Sequence, residues 1–189
     1  MNKNPIIIYN LFTIIFTQPL DKSPHICYTI YTEEREVNTM NTNKKAIYFD
    51  MDGTIADLYA VDGWLDDLTN YNPRPYKEAK VMLHMATLAR LLNRLQREGY
   101  HIGIISWLSK SGDEAYGKVV ADTKITWLRT HLPSVWWNEI TIVPYGTPKS
   151  EAVKHKDGIL FDDEAPNRTE WGNGAYEPNM IMEVLKGLL

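Results

Sequence analysis

Carboxylates stand in two short runs of this chain, Asp50-Met51-Asp52-Gly53-Thr54 and Phe161-Asp162-Asp163-Glu164. Each run directly follows a brief apolar stretch, Ala46–Phe49 and Gly158–Phe161. Acids massed at the ends of buried segments repel one another unless a cation or a charged substrate sits between them. Either run alone also suits an Asp-Gly turn or a helix cap; the repeated placement is what points to a site. Asp50 is ionised near neutrality, since an unperturbed Asp has a pKa of about 4. Such a carboxylate can attack phosphorus and form an acyl phosphate. The repulsion between two anions is then relieved by a divalent ion, and magnesium prefers oxygen ligands such as Asp50 and Asp162. Asp52 can give a proton to a leaving alcohol and later take one from water. Gly53 permits a tight turn that brings backbone close to a phosphate. Ser106 offers a hydroxyl donor, and Lys149 a positive charge for a phosphoryl group in transfer.

Several elements must position these residues. From Lys44 onward, strand-like and helix-like segments alternate. Strands are expected at 46–49, 101–106, 139–143 and 158–161, from short apolar runs between turn residues. A long helix is expected over 78–98, where Val81, Met82, Met85, Leu88, Leu92 and Leu95 recur at three- and four-residue steps before Gly99. Further helices are expected over 113–132, 149–155 and 177–189, with Lys149 at the start of the short one. Alternation of this kind predicts an α/β fold, a parallel sheet with helices on both faces. Ligands of such sheets bind beyond the carboxyl ends of the strands, where Asp50, Asp52, Ser106, Asp162 and Asp163 cluster.

The ordered set Asp50-Met51-Asp52-Gly53-Thr54, Ser106, Lys149 and Asp162-Asp163 resembles the four motifs of the haloacid dehalogenase-like (HAD) phosphatases. The likeness runs from about Lys44 to the C-terminus. It implies a Rossmann-like core with a small cap insert at about 55–80. It also implies a magnesium-dependent phosphomonoesterase that works through an aspartyl-phosphate. Asp50 is then the nucleophile and Asp52 the general acid/base, with Ser106 and Lys149 completing the catalytic set. Gly53, Thr54, Ser106, Trp107 and Lys149 form the expected substrate side, with Trp107 narrowing the pocket. Asp50, Asp52 (through its carbonyl), Asp162 and Asp163 form the expected Mg2+ site, Asp163 acting through water or by orienting its neighbour. Thr54-Ile55-Ala56-Asp57 and the later Asn167-Arg168 are similar to the 5'(3')-deoxyribonucleotidase-like branch, which favours a nucleotide over other small phosphorylated metabolites. The aromatics Tyr59, Trp64, Tyr71 and Tyr76 of the insert could stack on a base. Response-regulator receivers carry the same residue types, but there the acidic pair comes first.

The whole chain bounds the alternatives. Its 189 residues suffice for one domain with a real core. A formal net charge of −4 offers no basic track, so nucleic-acid binding, and with it a polynucleotide 3'-phosphatase, is not expected. An inert scaffold that binds a partner is the other alternative, and all motif residues being present argues against it. The single cysteine, Cys27, excludes a cysteine metal cluster and suits a reducing cytoplasm. Ile6–Phe16 is too short an apolar run to span a bilayer, so no membrane partner is expected. Residues 1–39 are expected to be a disordered or spurious extension, and 40–189 the working domain. Nothing in the sequence bears on oligomeric state.

Overall fold

A computed structural model describes residues 13–17, 27–31 and 45–189. Strands β1 (Thr13–Thr17) and β2 (Cys27–Tyr31) come first, followed by β3 (Ala46–Phe49). An insert then runs through β4 (Ala56–Asp57), a 3-10 turn at Leu58–Ala60, α1 (Trp64–Thr69), α2 (Arg74–Glu78) and β5 (Lys80–Val81). The core resumes with α3 (Met85–Arg97), β6 (His101–Trp107), α4 (Glu114–His131) and β7 (Glu139–Val143). It ends with β8 (Ile159–Phe161), α5 (Ala165–Trp171), β9 (Ala175–Tyr176) and α6 (Ile181–Gly187).

The main sheet has the order β1-β2-β7-β6-β3-β8-β9. Neighbours from β7 through β9 are parallel, and β1 and β2 add antiparallel at the β7 edge. The α/β architecture expected from the alternating pattern is therefore present. β3 is central and buried at every position, as a strand covered on both faces must be. Its alternation divides the core. Ile47 and Phe49 pack with Leu88, Leu92 and Leu95 of α3, Ile125 and Leu128 of α4, and Ile181 and Leu185 of α6. Ala46 and Tyr48 face the other way, toward Leu160 and Trp171 of α5.

The chain leaves β3 to build β6 and β7 on one side, then returns to build β8 and β9 on the other. Crevices open at the carboxyl ends of strands where the winding reverses in this way. That crevice lies between β6, β3 and β8.

Three sequence expectations are corrected. The helix expected over 78–98 is divided: α2 ends at Glu78, β5 pairs with β4, and α3 begins at Met85 with His84 as its cap. Val81 and Met82 matched the helical spacing but lie exposed on the insert. Lys149–His155 forms turns rather than a helix. At seven residues, few hydrogen bonds are available there to offset helix nucleation, and Lys149 is drawn inward by two carboxylates. The last expected helix is shorter, a 3-10 turn at Pro178–Met180 followed by α6.

Residues 1–39 were expected to stand outside the fold, and two strands of that stretch pair on the sheet. Tyr28 on β2 is buried in the main core and donates to the Glu114 carbonyl oxygen. The rest of the extension lies outside the described residues.

Candidate active site

Hydrogen bonding carries the sheet ladder beyond the strands, with the Asp50 amide donating to the Phe161 carbonyl and the Asp162 amide to that of Tyr176. Asp50 and Asp162 are thereby set side by side at the sheet's end. Both are buried, at 6% and 0% exposure. Gly53 closes the turn after β3 with φ +74, and its amide donates to the Ala56 carbonyl. A Cβ here would collide with the Asp163 carboxylate and meet the Tyr59 ring at 2.8 Å. Glycine is required both by that backbone conformation and by space.

Lys149 reaches the site from the loop after β7. Its Nζ lies 2.9 Å from Asp50 Oδ1 and 2.6 Å from Asp162 Oδ2. Burial pushes this ammonium's pKa down, but the two carboxylates outweigh it and hold the group above its ordinary value. Trp107 fixes that loop. Its indole Nε1 donates to the Thr147 carbonyl at 2.8 Å, and its ring lies 5.2 Å from Lys149 Nζ. Trp107 thus braces Lys149, a contact that sequence reasoning, which read it as a pocket wall, did not anticipate.

Asp162 is held by three further donors from α5 and its cap. The Glu164 amide donates to Oδ1 at 2.9 Å, and Asn167 Nδ2 reaches both carboxylate oxygens at 3.1 and 3.2 Å. Arg168 Nη1 donates to the carbonyls of Asp162 and Asp163. Burial, then the charge of Asp50, raises the Asp162 pKa against the pull of Lys149. Asp163 is pushed to about 7, chiefly by burial and then by repulsion from Asp50 and Asp162.

Oxygens of Asp50, Asp162 and Asp163 lie within 4.8 Å of one another. Asp163 Oδ1 is buried and accepts no hydrogen bond. A set of hard oxygen donors with an unsatisfied acceptor suits a magnesium ion. The residues present therefore fit the group that the sequence pattern implied.

Asp52 points to a partner that sequence reasoning missed. Lys124, in the middle of α4, places Nζ 2.6 Å from Asp52 Oδ2 and 2.9 Å from Ser106 Oγ. Burial raises the Asp52 pKa, and Lys124 opposes the rise. A signal did exist: Val120 and Leu128 stand four residues to either side and are fully buried, so Lys124 lies on the apolar face of α4. Ser106 is buried near the end of β6. Thr54 is buried as well, with its Oγ1 lacking a partner.

The insert covers the site from one side. Leu58 and Tyr76 pack on Tyr116 and Val120 of α4 with Trp64 and Leu68 around them. Tyr59, next to Gly53, forms an edge-to-face pair with Trp64. Across the site, Trp107 and Tyr145 pair at 4.8 Å between ring centres.

No family model matches the sequence, and no curated protein matches it significantly. Solved structures do match. A protein named as a HAD-like phosphatase from Mesorhizobium loti superposes with a TM-score of 0.55 at 12% identity, covering 88% of this chain and 94% of that one. D,D-heptose 1,7-bisphosphate phosphatase from Burkholderia thailandensis gives 0.45 at 13% identity, over 75% and 99% of the two chains. That from B. bronchiseptica, complexed with magnesium and phosphate, gives 0.48 at 13%, over 76% and 97%. Identities this low speak for the backbone and not for the chemistry. What the M. loti superposition establishes is that this chain has the haloacid dehalogenase-like fold.

Proposed function

We propose that the protein is a magnesium-dependent phosphomonoesterase acting through an aspartyl-phosphate on Asp50. The observation that carries this reading is the joining of Asp50, Asp162 and Asp163 around one small space with Lys149 bridging the first two. An Asp50 oxygen forms the bond to phosphorus, and the bond from phosphorus to the ester oxygen breaks. The electron pair leaves on that oxygen, which takes a proton from Asp52. Asp52, now a carboxylate, removes a proton from water, whose oxygen attacks the same phosphorus and frees Asp50 and inorganic phosphate. Ser106 donates to a phosphoryl oxygen, and Lys149 offsets the charge that gathers there. Magnesium, held by Asp50, Asp162, Asp163 and the Asp52 carbonyl, supplies further charge neutralisation when bound.

A small phosphorylated substrate is the natural occupant of a crevice under a small cap, and a nucleotide is favoured. Tyr59 and Tyr145 are about half exposed at the rim, next to Trp64 and Trp107 respectively. Aromatic faces so placed can stack on a base. A cytoplasmic setting belongs to this reading. No described helix is long and apolar enough to cross a membrane.

The test is a panel of nucleoside monophosphates and sugar phosphates with purified protein, with and without magnesium. Phosphate release that requires magnesium and vanishes in Asp50→Asn is expected. No release from any ester, while the metal still binds, would sink the enzyme reading. Turnover of sugar phosphates alone would remove the nucleotide.

A further inference from the structure

Four carboxylates crowd this site, and two lysines pair with three of them. Lys149 takes Asp50 and Asp162. Lys124 takes Asp52, from the opposite element. Lys124 is 1% exposed, and an ammonium so deeply buried persists only where its charge and its donors are matched.

An ammonium has three N–H donors and accepts nothing. Those of Lys124 reach Asp52 Oδ2 at 2.6 Å, Ser106 Oγ at 2.9 Å and the Trp107 carbonyl oxygen at 2.6 Å. The Tyr76 ring of the insert lies 4.9 Å from Nζ. All three donors are therefore committed, and none is left for a phosphoryl oxygen. Ser106 has one hydroxyl hydrogen, and because its oxygen accepts from Lys124 that hydrogen remains to be donated. Asp52 is held by Oδ2, which leaves Oδ1 to exchange a proton.

We propose that Lys124 is a positioning residue for the hydrolytic half of the reaction: it fixes the Asp52 carboxylate as the base toward water. The inference rests on the phosphatase reading above. It separates the two lysines by task, Lys149 serving the phosphoryl group and Lys124 serving the residue that activates water. Water loses its proton to Asp52 as its oxygen bonds to phosphorus, and the bond from phosphorus to Asp50 breaks. Lys124 touches neither reactant.

The experiment uses p-nitrophenyl phosphate, whose leaving group departs without an acid, so formation of the aspartyl-phosphate is spared. Lys124→Met should then release a stoichiometric burst of p-nitrophenol followed by turnover slowed about 100-fold. KM should fall with kcat, so that kcat/KM stays within about threefold of the wild type. A loss of kcat/KM as large as that of kcat, with no burst, overturns the proposal, as does unaltered turnover. Removing Lys124 leaves Asp52 as a partly buried charge without its ion-pair partner, so Asp52→Asn and Asp52→Asn/Lys124→Met provide a neutral background. Adding Lys124→Met there should change turnover less than about twofold, because a residue that acts through Asp52 has nothing left to act on. A further tenfold loss, about 1.4 kcal/mol, overturns it. A wild type silent on every ester overturns the phosphatase reading and this inference together, whereas an active wild type with additive variants overturns this inference alone.

Discussion

At Gly53 two demands coincide, a left-handed backbone and the absence of a side chain beneath Asp163 and Tyr59. Gly53→Ala therefore strains the turn and drives Asp163 out of its place. Turnover should fall at least about 100-fold and magnesium should bind more weakly, as titration calorimetry can check. Asp163 itself sets a pH dependence. Its folded pKa of about 7 lies above the ordinary carboxylate value, so the folded carboxyl holds its proton in a range where the unfolded one has lost it. Stability of the metal-free protein from this group is therefore undiminished below pH 4, falls as pH rises, and stays reduced above pH 7. Thermal melts in a chelator should show that slope, and Asp163→Asn should flatten it. Magnesium competes with the same proton, so its affinity should rise as pH climbs through 7.

Trp107 links β6 to the loop that carries Lys149. In that loop Pro144 to Thr147 forms a turn, with the Thr147 amide donating to the Pro144 carbonyl and Gly146 at φ +85. Trp107→Phe keeps an aromatic ring but loses the bond to the Thr147 carbonyl. Such a bond contributes about 1 kcal/mol to stability. The larger expected effect is on Lys149, whose looser placement should raise KM several-fold while the melting temperature moves by only a few degrees. An unchanged KM would show that the loop holds itself. The insert obeys a different constraint. Its residues 78–82 carry helical spacing, yet the chain turns there to pair β5 with β4, because closing the insert satisfies backbone groups that a continuous helix would have carried past the site.

Across the molecule, the main sheet acquires its β7 edge neighbour from the N-terminal stretch. Deleting residues 1–39 removes β1 and β2, takes Tyr28 out of the core and bares the β7 edge. Stability should fall by about 2 kcal/mol or more, read from urea unfolding, and the open edge should promote self-association. Activity per folded molecule should survive. The site residues Asp50, Asp52, Ser106, Lys124, Lys149, Asp162 and Asp163 all lie in β6, α4 or the segments that follow β3, β7 and β8.

By itself the sequence determined the order of the strands β3, β6, β7 and β8 and the acidic strand ends, because both are local. An apolar run followed by Asp reads the same whatever packs against it. The roles assigned to Asp50, Asp52, Ser106 and Asp162 could be placed on strand ends for that reason. Tertiary structure decided the rest. Residues 78–98 matched one helix in spacing, and only pairing between distant segments divided them. Lys149 was legible as a cation near the site, but its loop conformation comes from two carboxylates brought in by β3 and β8. Lys124 lies 72 residues from the aspartate it holds, and no local pattern joins them. A buried ion pair is set by which faces meet across the sheet, and that meeting exists only in the folded chain.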